Sequence, residues 1–315
     1  MFKKTVWVVV PFLVIAGMFS ACGKSASGPE PDPGPEMTDL YGDYLGQTSS
    51  GTTPIRFAPN NLFTANSTWF YHGSPVFSPD GNEVYFVKYF SATDVTEIWF
   101  SRSIDGQWTV PQKASFSQGN FVNNPAFSTS NDTLYFKSNM NGHFIFKVTR
   151  TASGWSAPVG LDITLPPNST NGHGFAITAD QTIYFEVWEN GATHSDIFRT
   201  RLVDGQYTTP VSIGATINTS VDEGVGYIDP QERFLIYVSP KAGGIGMHDM
   251  YITYRNNDDT WTAPVNLGSV INTTWEDGYP MITPDGNYFF YTTIKTGDAG
   301  YTPYWVDASI LESLR

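Results

Sequence analysis

Acidic side chains, histidines and asparagines fall at comparable places in five segments of this chain. The segments are Tyr71-His72-Gly73, Phe121-Val122-Asn123-Asn124, Asn171-Gly172-His173, Asp222-Glu223-Gly224 and Glu276-Asp277-Gly278. Glycoside hydrolysis needs two carboxylates at a fixed separation, one with a raised pKa. Glu223 with Glu276 or Asp277 can supply that pair. His72 and His173 are two metal-type ligands, but no third recurs at a ligand-like spacing, so no metal or other cofactor is expected. Trp275 beside the acids, with Trp69, Phe70 and Phe121 nearby in sequence, can stack on a sugar ring or grip an aromatic group of a peptide. The candidate ligand-binding set is therefore His72, Asn123, His173, Asp222, Glu223, Trp275, Glu276 and Asp277, with no residue singled out as catalytic. A second use of the same acids stays open. Ile217 to Gly224 matches Ile271 to Gly278 closely, so the carboxylates can instead cap backbone N–H groups of a repeated loop.

Other chemistry finds little support. There is no nucleophile elbow, phosphate-binding glycine loop or His-Glu-x-x-His motif. Ser103-Ile104-Asp105-Gly106-Gln107-Trp108 looks like the Asp-box turn of sialidases, with the wrong spacing on both sides of the glycine. Arg102, Arg150, Arg201 and Arg255 recur at the ends of third strands, which makes them repeat positions and not a carboxylate-binding cluster.

The elements that must hold these loops repeat. Turns at Ser78-Pro79-Asp80-Gly81, Ser128-Thr129-Ser130-Asn131, Thr178-Ala179-Asp180-Gln181, Asp229-Pro230-Gln231-Glu232 and Thr283-Pro284-Asp285-Gly286 are spaced by about 50 residues, a period of propeller arrays. Each follows a short strand and precedes a continuously apolar one such as Val84-Tyr85-Phe86 or Phe289-Phe290-Tyr291, as burial on both faces requires. A third strand and an aromatic-x-x-Pro fourth strand complete four of the units: Trp108 to Pro111, Trp155 to Pro158, Tyr207 to Pro210 and Trp261 to Pro264. The fifth lacks its fourth strand. Pro54 to Ala58 matches Pro264 to Gly268 in type, so this early segment is expected to pair near Tyr304 and close the ring. The fold class is all-β: a five-bladed β-propeller closed by an N-terminal outer strand, with six blades as the alternative.

The Ser-Pro-Asp-Gly turn followed by a Tyr-Phe strand resembles the WD-repeat-like propeller repeats of exported bacterial proteins, the type found in the propeller of the Tol system. The resemblance covers Gly51 to Asp307 and implies a fold, not a chemistry. Tyr44-Leu45-Gly46-Gln47 with Phe57-Ala58-Pro59 is also similar to exported propellers of the Bacteroidetes.

Lys3 and Lys4 precede an apolar run, Val6 to Phe19, too short to span a bilayer and laid out as a secretory signal. Phe19-Ser20-Ala21-Cys22-Gly23 resembles a lipobox, with Phe19 where leucine is usual, and implies lipid attachment at Cys22. Cys22 is the only cysteine, which excludes internal disulfides. The expected organisation is a lipoprotein signal peptide over 1–21, a Gly-, Ser- and Pro-rich tether over 22–43, and the propeller over 44–315. The net charge of -13 becomes about -15 when Lys3 and Lys4 leave with the signal, which argues against nucleic acid as a partner. These features favour an envelope protein, lipid-anchored on the periplasmic or surface face, that binds a protein or glycan ligand. A carbohydrate-active hydrolase or lyase using the mouth carboxylates is the alternative.

Overall fold

The turn of each repeat is built largely by its own side chains. In the computed structural model, which describes residues 35–57, 68–119, 121–189, 191–295 and 300–314, the Ser78 hydroxyl donates to Asp80 at 2.6 Å and accepts from the Glu83 N–H at 2.9 Å. The Asp80 carboxylate also accepts from the Asn82 N–H, and Gly81 takes the left-handed φ of 72° that the tight reversal demands. Thr178 with Asp180 and Thr283 with Asp285 repeat the device. These polar residues satisfy one another locally, so the strands they join are free to be apolar.

Five antiparallel sheets follow, each from three long strands. Their inner strands are Phe70–Phe77, Val122–Phe127, Ser169–Ile177, Gly224–Ile228 and Glu276–Ile282. Second strands are Glu83–Phe90, Thr133–Ser138, Ile183–Glu189, Phe234–Ser239 and Tyr288–Ile294. Third strands are Val95–Ile104, Ile145–Thr151, Ser195–Thr200, Asp249–Tyr254 and Thr302–Asp307. The protein is a five-bladed β-propeller. Its core is divided among five clusters, one per seam between blades. Each fully buried large side chain there contributes roughly 1.5–3 kcal/mol.

The outer strands differ from expectation. The aromatic-x-x-Pro segments are not the fourth strands themselves. Gln107–Thr109 and Gly154–Trp155 fold back on the far ends of third strands, and Gln206–Tyr207 pairs with Leu202–Val203. Proline then interrupts the ladder, having no N–H to give. The two residues just after it form the outer strand: Gln112–Lys113, Val159–Gly160, Val211–Ser212 and Val265–Asn266. The folded-back aromatic instead reaches the preceding blade, as when the Trp155 indole N–H donates to the Tyr85 hydroxyl at 2.9 Å.

The clasp forms where it is expected. Ile55 lies opposite Trp305 and Arg56 opposite Tyr304, and the Phe57 N–H donates to the Pro303 carbonyl at 2.9 Å; Ala58 lies outside the described residues. A second stitch goes beyond the expectation. Residues 36–43, assigned to the tether by composition, belong to the compact unit that starts at Glu36, and Met37–Tyr41 pairs with Gln107–Thr109 on blade 1. The chain then turns through Tyr44 and Leu45, both at left-handed φ, and the Tyr44 hydroxyl donates to Asp285 of blade 5 at 2.7 Å. One N-terminal segment thus grips both sides of the blade 5 to blade 1 seam. The expected signal segment and Cys22 lie outside the described residues.

Candidate ligand site at the channel mouth

Every inner strand breaks register near its start: between His72 and Val76, Asn123 and Ala126, Asn171 and Phe175, Val225 and Tyr227, and Gly278 and Met281. A bulge bends a strand and re-aims its side chains. Within three of these bulges a residue adopts left-handed φ: Gly73 at 88°, Asn124 at 48° and Tyr279 at 52°. For an aromatic residue that conformation costs about 1–2 kcal/mol. It is held in place by the Ser74 hydroxyl, which donates to the Tyr279 carbonyl, and by Gly73, where a Cβ would come within 3.2 Å of the Tyr279 ring.

The bulges surround one end of a channel of about 1420 Å³. His72, Asn124, His173, Glu186, Trp188, Asp222, His248, Glu276, Asp277, Tyr279 and Tyr301 line it there. Of the residues expected from sequence, His72, His173, Asp222, Glu276 and Asp277 come together in this lining. Asn123, Glu223 and Trp275 do not reach it. Asn123 is buried one position from Asn124, whose side chain donates to the His173 carbonyl at 2.9 Å.

The two similar loops show what their acids do. Glu223 accepts from the N–H and hydroxyl of Thr219. Asp277, the equivalent residue, accepts from the N–H and hydroxyl of Thr273 and from the Thr293 hydroxyl. Burial pushes both carboxyl groups above their ordinary range, against the pull of the threonine donors. Both therefore close loops. The preceding acid of each pair faces the channel, and here the two loops part. Asp222 accepts from the N–H of Ser195 at 2.8 Å and from its hydroxyl at 3.3 Å. His248 stands in the place of Ser195, bridged through its backbone to Glu276. The Glu276 carboxylate makes no hydrogen bond or ion pair among the described residues, and its charge acts on the Tyr279 and Tyr301 hydroxyls.

A residue passed over in the sequence completes the site. Glu186 is buried on the second strand of blade 3 and accepts from the N–H groups of His173, Gly174 and Val225 at 2.6, 2.9 and 3.1 Å. Gly172 and Gly174 leave the room it occupies, since a Cβ at either would lie within 2.6 Å of its atoms. Lys137, at the same repeat position of blade 2, donates to the Gly172 carbonyl. Burial lowers the Lys137 ammonium to about 8, with the Glu186 charge opposing the fall. Burial raises the Glu186 carboxyl, against the His173 N–H and Lys137. The pair fixes the inner strands of blades 3 and 4 at the mouth.

His72 packs edge-on against Tyr279 and Tyr301, at ring separations of 5.4 and 5.3 Å. Its Nε2 meets the Tyr279 hydroxyl at 3.3 Å, while Nδ1 is shut off from solvent without a partner. Burial, with the His173 charge adding to it, pushes the imidazole down to about 4. The unfolded chain takes up this proton near pH 6.5 and the folded chain only near 4, so between those values the unfolded state binds more protons. Stability should therefore fall as the pH drops from 6.5 to 4, by up to about 3 kcal/mol from this group. Unfolding midpoints across that range should decline less steeply in His72→Gln than in the parent, and equal slopes would contradict the assignment.

Among the described residues no three His, Cys, Asp or Glu side chains group as metal ligands. No protein-family profile and no curated relative matches the sequence. Solved structures do match in shape. The catalytic domain of a Coprinopsis cinerea GH62 α-L-arabinofuranosidase aligns at 11% identity over 82% of this chain and 97% of that one, with a TM-score of 0.53. An endo-arabinase from Bacteroides thetaiotaomicron aligns at 12% identity over 83% and 97%, with a TM-score of 0.48. An oligogalacturonate lyase in complex with manganese aligns at 12% identity over 80% and 69%, with a TM-score of 0.40. What this chain shares with the first of these, at so low an identity, is the five-bladed ring.

Proposed function

We propose that this protein is a lipid-anchored propeller of the cell envelope that binds a glycan at the bulged mouth of its channel. One observation carries the choice of site: at a mouth where the other acids are engaged by backbone or hydroxyl donors, Glu276 keeps an unengaged carboxylate. Polar atoms held ready beside aromatic faces are the usual make-up of a sugar subsite. Trp188, Tyr279 and Tyr301 supply those faces.

Binding is favoured over hydrolysis because a glycosidase needs a second carboxylate free to act across the scissile bond. Glu223, the partner considered for Glu276, and Asp277, the alternative to Glu276, spend their oxygens on threonine donors. The expected result is retention of specific glycans on an array by the purified propeller, lost in Glu276→Gln, with no release of reducing ends. Turnover of a retained glycan would replace this reading with the hydrolase or lyase. An array with no retained glycan would remove the glycan altogether.

The anchor rests on Lys3, Lys4, the apolar run and Cys22, in keeping with the exported WD-repeat-like propellers that the chain resembles. Several acyl chains on Cys22 give stable attachment, at about 0.8 kcal/mol for each buried methylene. Cys22→Ser should move the protein from the membrane pellet to the soluble fraction after cell disruption. Unchanged fractionation would argue for a plain cleavable signal.

A further inference from the structure

The chain joins the ring at the end opposite the mouth. Inner strands start at the mouth and second strands return to it, so third strands run away from it, to the far end where the repeat turns lie. Glu36, where the compact unit begins, accepts at its carbonyl from the Val110 N–H at 2.8 Å. Met37 lies opposite Thr109 and Tyr41 opposite Gln107, and Gln107 in turn pairs with Ile104, the last residue of the third strand of blade 1. The segment then stays at the far end. The Gly42 N–H donates to the Gly106 carbonyl, the Tyr44 hydroxyl to Asp285 in the turn of blade 5, and the Gly51 carbonyl accepts from the Asp307 N–H at 2.9 Å. Only with Ile55–Arg56 does the chain start back towards the mouth.

The depth of the ring can be weighed against the length of the tether. The third strand of blade 1, Val95–Ile104, has ten residues and therefore spans about 33 Å from mouth to far end. The thirteen residues from Gly23 to Pro35 reach at most about 45 Å when fully extended. With the mouth against a bilayer that holds Cys22, Glu36 stands the whole depth of the blade away from it. The chain between them is then drawn out over most of its reach, and ordering it so costs conformational entropy. With the far end towards the bilayer no extension is needed. Charge does not choose between the ends, since Asp80, Asp180 and Asp285 stand at the far end as Asp222 and Glu276 do at the mouth.

We infer that the anchored propeller stands with its far end to the bilayer and its mouth turned away, so that the glycan comes from the surrounding space and not as the headgroup of a lipid in the same membrane. The inference rests on the anchor at Cys22 proposed above and adds to it the source of the ligand. Ile245 and Met247, exposed on the mouth rim of blade 4, give the opposite arrangement an apolar foothold. The two arrangements differ in which end of blade 4 lies near lipid.

The test uses the full-length protein, purified with its anchor and inserted into vesicles of phosphatidylethanolamine and phosphatidylglycerol that carry a rhodamine-labelled lipid. Ala242 and Asn257 are exposed at opposite ends of blade 4, the first beyond its second strand at the mouth and the other beyond its third strand at the far end. A donor dye is placed on Ala242→Cys or on Asn257→Cys, because Cys22, the only native cysteine, has no free thiol in the lipidated protein. Energy transfer to the lipid should be several-fold greater from Asn257→Cys. Equal transfer from the two, as from a body lying on its side, overturns the orientation and leaves the anchor standing. Greater transfer from Ala242→Cys, as from a mouth resting in lipid on Ile245 and Met247, does the same. A parent protein that takes up the dye at Cys22 and stays off the vesicles overturns the anchor and the orientation with it.

Discussion

Replacing Phe57 by alanine should destabilise the protein by roughly 3–5 kcal/mol, the range for deleting a buried aromatic ring. Phe57 is fully buried, and its ring meets Phe290 at 5.0 Å, Trp305 at 5.3 Å and Phe77 at 6.3 Å. Those partners belong to blade 5 and blade 1, so the cavity opens at the seam where the two ends of the chain meet. Blade 5 takes its outer strand from the other end of the chain, through the short ladder of Ile55–Arg56, and Phe57 packs that strand into the core. Urea unfolding checks the expectation, with Val159→Ala as the comparison, because Val159 is 55% exposed on an outer strand and should change stability by no more than about 0.5 kcal/mol. A Phe57→Ala loss as small as that would show that the clasp is dispensable.

Glu186→Ala should be comparably severe for a different reason. It removes one acceptor from three N–H groups, those of His173, Gly174 and Val225. A buried donor left unpaired costs about 1–3 kcal/mol. It also strips Lys137 of its counter-charge, and a total of roughly 3 kcal/mol or more is expected from equilibrium unfolding. Glu186→Gln should fall between, since one amide oxygen still accepts while its NH₂ group confronts donors. Parent-like stability in Glu186→Ala would mean that water replaces the carboxylate and that this corner of the mouth is soft.

The ring was legible in the sequence because its turns and strands repeat. Ser78-Pro79-Asp80-Gly81 and its counterparts build their reversals from local hydrogen bonds, which short-range sequence can specify. The clasp was legible because Pro54 to Ala58 copies Pro264 to Gly268, and closure demands a partner for the last blade. The stitch at Met37–Tyr41 was not. It copies no part of the repeat, and its pairing lies about seventy residues away, at Trp108 and its neighbours.

At the mouth, likeness between loops pointed to capping for Glu223 and Asp277. The informative signal was departure from likeness. His248 replaces Ser195 and leaves Glu276 free. Lys137 and Glu186 interrupt apolar second strands where blade 1 has Val87. Tyr279 could not be placed by pattern, because a left-handed backbone within a bulge sets its direction, and Tyr301 lies just before a third strand, held by its N–H to the Tyr71 carbonyl of blade 1.

The N-terminal stitch also settles how the molecule would carry mechanical load. Tension applied upstream of Glu36 enters at Met37–Tyr41 on the outer rim of blade 1, and its route onward runs along the rim through Tyr44 and Asp285 to Ile55–Arg56. The inner strands and their bulges lie off that route. A pull from upstream of Glu36 would peel the rim strand first, leaving the hub in shape.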